Sequence, residues 1–258
     1  MTNEAQRLFD HGEGLFEVNP SKLQCYLDCP RQFRFRYIER RPERRAFPQT
    51  ALGRTVHRAL REFYALETGR RSLEELLRLL RRAWDASGYR SENEAEAAFA
   101  RAEDMLRRYH DLVDHTGVRP LALESKFSVS YPDEGVLVTG RVDRIDLSED
   151  GYVIVDYKTG RFRQDPRSIH ESLPLSLYAM AASSKLGSEV TRIVLYLLAD
   201  GTALETERDP DRLAGDWKLL VDIVEEIRTG TRFPPHTGPL CRWCDYLNLC
   251  PEGRAEVG

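Results

Sequence analysis

Two short apolar runs constrain this chain more than anything else in it. The first is Val138-Thr139-Gly140-Arg141-Val142-Asp143-Arg144-Ile145-Asp146, and the second is Val153-Ile154-Val155-Asp156-Tyr157-Lys158-Thr159-Gly160. Read as adjacent strands, they set Asp143 near an Asp-x-Lys triplet that closes a β-branched run. Residues two apart on a strand share a face, so Asp156 and Lys158 project together and Tyr157 points the other way. Two carboxylates converging beside one lysine suit a divalent cation and a water nucleophile, the equipment phosphodiester cleavage needs.

The lysine is informative because lysine is scarce. Of 38 basic residues, 33 are Arg and only 5 are Lys. A Lys at 158 is therefore unlike ordinary basic filler, and a partly buried ammonium can orient a water or release a proton where a guanidinium cannot. The plainer reading of Asp-x-Lys is a surface ion pair, which contributes little. The upstream Gly140-Arg141-Val142-Asp143 favours the functional one.

Cysteines form a second constellation, at the two ends of the chain. Cys241-Arg242-Trp243-Cys244 is followed by Cys250-Pro251, while Cys29 precedes Pro30 and Cys25 lies one helical turn before it. All five cysteines are near a terminus and no signal peptide is evident, which argues against a disulfide scaffold. Thiolates spaced this way hold zinc or an iron–sulfur cluster, and the spacing alone does not choose between them. The remote Cys29 would make the cluster a staple between the two ends, its binding energy contributing to folding.

The rest of the chain supplies helices first and strands after. Asn19-Pro20-Ser21 caps a helix through Asp28, and Pro30 opens another with Phe33 and Tyr37 on one face. Ala51 to Leu66 is amphipathic, carrying Val56, Leu60, Phe63 and Tyr64. Ser72 caps a helix through Trp84, and Glu92 to His115 forms one more. Strands are expected at 121–130, 136–147, 152–157, 191–198 and 202–206, with a helix around Tyr178 and another from Pro210 to Arg228. This order predicts an α/β fold, a mixed sheet with a crossover helix and an N-terminal helical insertion. Residues 1–18 and 253–258 read as loose ends of one domain over 19–252: a helical part at 19–118, a sheet core at 119–209, then a helix and cysteine tail at 210–252. No run is apolar enough to span a membrane, so a soluble, cytoplasmic protein is expected.

A net charge of −4 argues weakly against a nucleic-acid partner, but the balance is local. Residues 31 to 61 hold ten Arg and no Lys, against Glu39 and Glu43. Phe33, Phe35 and Tyr37 interleave with Arg34, Arg36, Arg40 and Arg41, and Arg54 follows. Such a run can bind phosphates and stack on unpaired bases, or it can be a solvated face whose arginine stems cover apolar surface. An acidic remainder is expected where DNA is confined to one channel.

Taken together, these residues resemble the PD-(D/E)XK nuclease superfamily, in the branch holding the RecB and AddB nuclease domains and the CRISPR-associated exonucleases. The likeness rests on Tyr26-Leu27-Asp28-Cys29-Pro30, Gly53-Arg54-Thr55-Val56-His57, Gly140 to Asp143, Asp156 to Thr159, Leu175-Ser176-Leu177-Tyr178, and Cys241, Cys244 and Cys250. It implies a restriction-endonuclease-like core whose termini are joined by a metal cluster. It further implies a metal-dependent deoxyribonuclease, an exonuclease on single-stranded DNA ends in repair or recombination. Asp143, Asp156, His57 and the Tyr157 carbonyl would hold Mg²⁺ or Mn²⁺, Lys158 would orient or deprotonate the water, and Tyr178 would border the site. Glu124 ranks below them as a further acid, an exposed strand Glu being commoner. Cys29, Cys241, Cys244 and Cys250 would hold a [4Fe–4S] cluster, with zinc as the alternative. Other readings are a non-catalytic DNA-binding subunit of a helicase–nuclease complex and a CRISPR-adaptation exonuclease. The family commonly has Gln four residues before the tyrosine; here Pro174 stands there, which puts the DNA-contacting role of that helix in doubt.

Overall fold

Alternating and β-branched runs between residues 120 and 207, with one short run before them, give a single mixed sheet. Residues 14–43, 48–149, 151–161, 166–190 and 192–258 are described in the computed structural model of the chain. The strands are β1 (Phe16–Val18), β2 (Pro120–Tyr131), β3 (Val136–Ser148), β4 (Gly151–Lys158), β5 (Arg192–Leu197) and β6 (Thr202–Glu207). Their order is β1-β3-β4-β5-β6, with β2 also paired to β3. β1 runs parallel to β3 and β4 parallel to β5, and the other pairs are antiparallel.

Helices cover both faces. α1 (Pro20–Asp28) starts where Asn19 Oδ1 accepts from the Lys22 N–H at 2.8 Å and Pro20 occupies the first turn. α2 (Pro30–Phe33) relaxes into a π-helical turn over Arg34–Ile38, which keeps Phe33 and Tyr37 in contact with ring centres 5.1 Å apart. α3 (Pro48–Tyr64), α4 (Leu73–Ala83) and α5 (Glu92–Leu112) follow, α4 and α5 capped by Ser72 and Ser91. α6 (Leu173–Leu186) and α7 (Pro210–Thr229) complete the larger helices, and α8 (Pro251–Val257) ends the chain.

Strand alternation sorts the core into two layers. Ile154, Ile193 and Leu195 pack with α1, α2, α6 and α7, whereas Val153, Val155, Tyr157 and Val194 pack with α3, α4 and α5. On α3 the buried Val56, Leu60 and Phe63 recur at helical spacing, and each contributes about 1.5–3 kcal/mol by leaving water. Among the described residues no helix is long and apolar enough to cross a membrane.

Both expected loose ends are corrected where they are described. Phe16–Val18 is a strand on β3, too short for periodicity to reveal. Pro251–Val257 is a helix whose cap is a thiol: Cys250 Sγ accepts from the Gly253 N–H at 3.3 Å. Residues 1–13 lie outside the described residues. Ser172 precedes α6 with the identity of an N-cap, but its side chain makes no capping bond. Instead the buried Arg208 donates to the Ser172 and Ile169 carbonyls at 3.2 and 2.7 Å and to Ser176 Oγ at 2.8 Å, fixing the start of α6.

Candidate active site

One edge of β3 is covered by β2 along most of its length, so β1 and β4 share the other edge. β1 pairs with 136–138 and β4 pairs only from Arg144 onward. Residues 139–143 fall between them, and β3 and β4 splay apart at Asp143 and Asp156. A cavity of about 550 Å³ opens at this fork, lined among others by His57, Gly140, Asp143, Asp156, Lys158 and Tyr178.

The fork leaves the Tyr157 N–H beyond the last β3–β4 pair, and Asp143 Oδ2 accepts from it at 2.9 Å. The N–H and C=O of one strand residue point the same way, so the Tyr157 carbonyl also faces the fork. α3 brings in His57, whose Nδ1 lies 3.1 Å from Asp143 Oδ1. Gly53, one turn earlier on the same face, permits that approach: a Cβ there would sit 3.3 Å from Thr159 Oγ1 at the end of β4. Gly140 has an equally local reason. Its missing Cβ would meet the Phe127 ring at 2.4 Å. Gly140→Ala is therefore expected to lower stability by about 1–3 kcal/mol, read as a shifted denaturation midpoint, and Phe127→Leu should recover most of the loss.

Charge is arranged around the fork in two linked groups. Lys158 Nζ lies 2.7 Å from Asp156 Oδ2, and the Asp156 charge is the main reason the ammonium is held above its ordinary range. Burial, reinforced by Asp143, pushes the Asp156 carboxyl up against the pull of Lys158. Burial also opposes ionisation of Asp143, but the His57 hydrogen bond and charge, the Tyr157 N–H and Lys158 outweigh it and bring that carboxyl down. His57 moves up, because Asp143, Asp156 and Glu124 together overcome its burial. His57 and Lys158 thus supply positive charge beside Asp143 and Asp156.

Glu124 belongs to this group, contrary to its low rank in the sequence. Its Oε1 is 3.9 Å from His57 Nδ1 and its Oε2 is 2.8 Å from Arg141 Nε. One ligand atom each from His57, Glu124 and Asp143 lies within 4.8 Å of the others, as in no other group of three or more His, Cys, Asp or Glu among the described residues. Glu124 is also one of two described non-glycine residues with positive φ, at 48°. That left-handed kink inside β2, between the pairs Leu123–Arg144 and Ser125–Val142, is the kind of strain found at ligand sites. Nothing in Leu121-Ala122-Leu123-Glu124 signals it. Asp156 lies outside the triad, on Lys158.

Tyr178 lines the fork cavity, its ring against Phe127 with centres 6.2 Å apart. The arginine run is dispersed. Arg34 and Arg41 both pair with Glu39, at 2.8 and 2.9 Å, and Arg36 pairs with Glu43 at 2.6 Å. Arg40 is exposed with φ 51°, and Arg54 is exposed on α3. The expected stacking of bases on Phe33 and Phe35 is corrected. Phe33 is buried against Tyr26, Tyr37 and Phe233, and Phe35 is buried against Tyr246.

Cys29, Cys241, Cys244 and Cys250 line one small cavity between the α1–α2 junction and the C-terminal tail, and Cys25 lies outside it. Gly253 fits against two of the sulfurs, since a Cβ there would sit 3.4 Å from Cys250 Sγ and 3.6 Å from Cys241 Sγ. Burial raises the Cys244 thiol, and Cys29, Cys241 and Cys250 add to the rise. A cation or cluster is what would relieve such crowding of thiolates.

A family model described as the PD-(D/E)XK nuclease superfamily matches residues 17–251. The chain is 37% identical over 82 residues to an ATP-dependent helicase/nuclease subunit of Pelotomaculum thermopropionicum, covering 31% of this chain and 6% of that protein. It is 28% identical over 141 residues to an ATP-dependent helicase/deoxyribonuclease subunit of Streptococcus uberis, covering 54% of this chain and 12% of that protein. The chain thus spans a small fraction of these relatives. The crystal structure of SSO0001 aligns over 97% of this chain and 93% of its own, with 12% identity and a TM-score of 0.47.

Proposed function

The chain belongs to the PD-(D/E)XK nuclease superfamily, and on that premise we propose that it is a metal-dependent deoxyribonuclease acting as an exonuclease on single-stranded DNA ends in repair or recombination. The observation that carries this reading is the fork itself: His57, Glu124 and Asp143 within 4.8 Å of one another, beside the Asp156–Lys158 pair. The acids and the imidazole fit a hard divalent cation such as Mg²⁺ or Mn²⁺, with Asp156 and the Tyr157 carbonyl at its border. When bound, the cation would supply Lewis acidity toward the phosphate and its leaving oxygen. Each side chain then has one task. The His57–Asp143 contact fixes the ring, and the Tyr157 N–H fixes the second Asp143 oxygen. Asp156 keeps Lys158 protonated, so the ammonium orients the attacking water as a hydrogen-bond donor. Tyr178 walls the cavity on the far side.

In the same reading Cys29, Cys241, Cys244 and Cys250 hold a [4Fe–4S] cluster. The four thiols line one small cavity, Cys29 from the α1–α2 junction and the other three from the C-terminal tail, which supports a shared metal centre. Its binding energy would join the α1–α2 junction to the C-terminal tail. The relatives that are helicase/nuclease subunits support a motor partner working with this chain.

The test is degradation of end-labelled single-stranded and duplex DNA with Mg²⁺ or Mn²⁺, wild type against Asp156→Ala. Cleavage of single strands that the variant lacks is expected, and the label pattern reads the polarity. No cleavage by cluster-replete protein would leave a DNA-binding subunit. Iron and acid-labile sulfide on anaerobically purified protein are expected near four atoms of each per chain; stoichiometric zinc without iron would overturn the cluster.

A further inference from the structure

A second cavity, of about 360 Å³, continues from the fork past Lys158 and Tyr178, and the two share Pro20 and Ser21 at their junction. Its walls differ in kind. Ile169, Pro174 and Leu175 form an apolar side, and Gln24 and Gln32 face it from α1 and α2. Gln24 Nε2 donates to Asp28 Oδ1 at 2.7 Å, which holds that amide in one orientation. The two cations of this cavity are already matched, Arg36 on Glu43 at 2.6 Å and Lys158 on Asp156 at 2.7 Å, and Asp28 adds a carboxylate to the lining. A phosphate subsite would present uncompensated cations. An apolar wall lined together with an oriented Gln24 amide and the Gln32 amide instead fits a planar heterocycle, packed on one face and hydrogen-bonded along its edge. The volume is that of a small-molecule site and admits a single residue of ligand rather than a duplex.

We propose that this slot holds one unpaired nucleobase next to the phosphate cut at the fork, with Gln24 and Gln32 reading its edge and Pro174 and Leu175 supporting its face. The proposal rests on the nuclease reading above. It also gives Pro174 a use: in the first turn of α6 it forms part of the apolar lining, while the amides come from α1 and α2. Specificity for single strands then follows, since a paired base has its edge occupied and cannot enter.

The experiment is fluorescence anisotropy of short single-stranded oligonucleotides carrying one abasic position, walked along the strand from the end, in buffer free of divalent cations. Wild type is compared with the Gln24→Ala, Gln32→Ala double variant. For wild type, one register of the abasic position should weaken binding about tenfold. The double variant should bind the intact strand about tenfold more weakly and lose that register dependence. Equal binding at every register by wild type, or unchanged register dependence in the variant, would overturn the slot. Absence of Mg²⁺- or Mn²⁺-dependent cleavage with the register dependence intact would remove the nuclease reading and leave the slot standing.

Discussion

Lys158→Ala should lower the single-turnover rate of metal-dependent cleavage about a thousandfold while changing single-strand affinity by less than about threefold. That magnitude is what one lost, well-placed donor costs where charge develops in a transition state. Affinity is spared because Lys158 is already ion-paired with Asp156 at 2.7 Å and so adds little net charge to the groove. Lys158→Arg should fail to restore the rate. Its planar guanidinium is larger than an ammonium and donates in a fixed fork, so it does not reproduce a point donor at the end of β4. Single-turnover rates with Mn²⁺, measured beside anisotropy for each variant, separate the two effects. A Lys158→Ala rate close to wild type would remove Lys158 from the chemistry.

The parts of this site that could be read from the sequence depend on neighbours along the chain. Strand alternation places Asp156 and Lys158 on one face and Tyr157 on the other, and the ladder follows it. Helix starts at Asn19 and Ser72 follow from side chains that bond an amide three residues on. The gaps arise where the deciding partner is remote. The fork at Asp143 exists because β1 and β4 share one edge of β3 without meeting, and no local pattern encodes that. Glu124 looks like an ordinary strand acid until its φ of 48° turns it toward His57. The arginine run reads as a phosphate surface because Glu39 and Glu43 seem outnumbered, yet Glu39 alone takes Arg34 and Arg41. Ser172 has the identity and position of a cap, but Arg208, 36 residues away, binds the carbonyls there instead. Arg144 gives no local signal of its role, because a strand arginine beside an acid looks exposed.

Arg144→Ala should cost about 3–5 kcal/mol, among the largest single losses of stability available in this chain. Only 1% of Arg144 is exposed, behind the fork on the α3–α5 side of the sheet. Its Nη1 donates to the Tyr157 and Tyr109 hydroxyls, its Nε lies 2.8 Å from Asp146 Oδ1, and its guanidinium stacks 3.9 Å from the centre of the Tyr64 ring. Tyr64 in turn bonds Tyr109 at 2.6 Å and His115 Nδ1 at 2.9 Å, and burial pushes His115 down to about 4, so it stays a neutral partner. Alanine would leave a cavity, unsatisfied hydroxyls, and an Asp146 whose carboxyl burial already pushes up. For a chain of this size the melting temperature should fall by about 6–15 °C. The paired substitution Arg144→Met with Asp146→Leu discriminates the cause, because removing both charges should cost less than Arg144→Ala alone if the stranded carboxylate carries much of the loss. Thermal melts of the three proteins check this, and a loss under about 1 kcal/mol for Arg144→Ala would show the cage to be dispensable. The consequence extends to the site. Tyr157 is held on one side by Arg144 through its ring and offers its amide to Asp143 on the other. The buried cage and the fork therefore share one residue, and loosening the ring should slow cleavage even at temperatures where the variant remains folded.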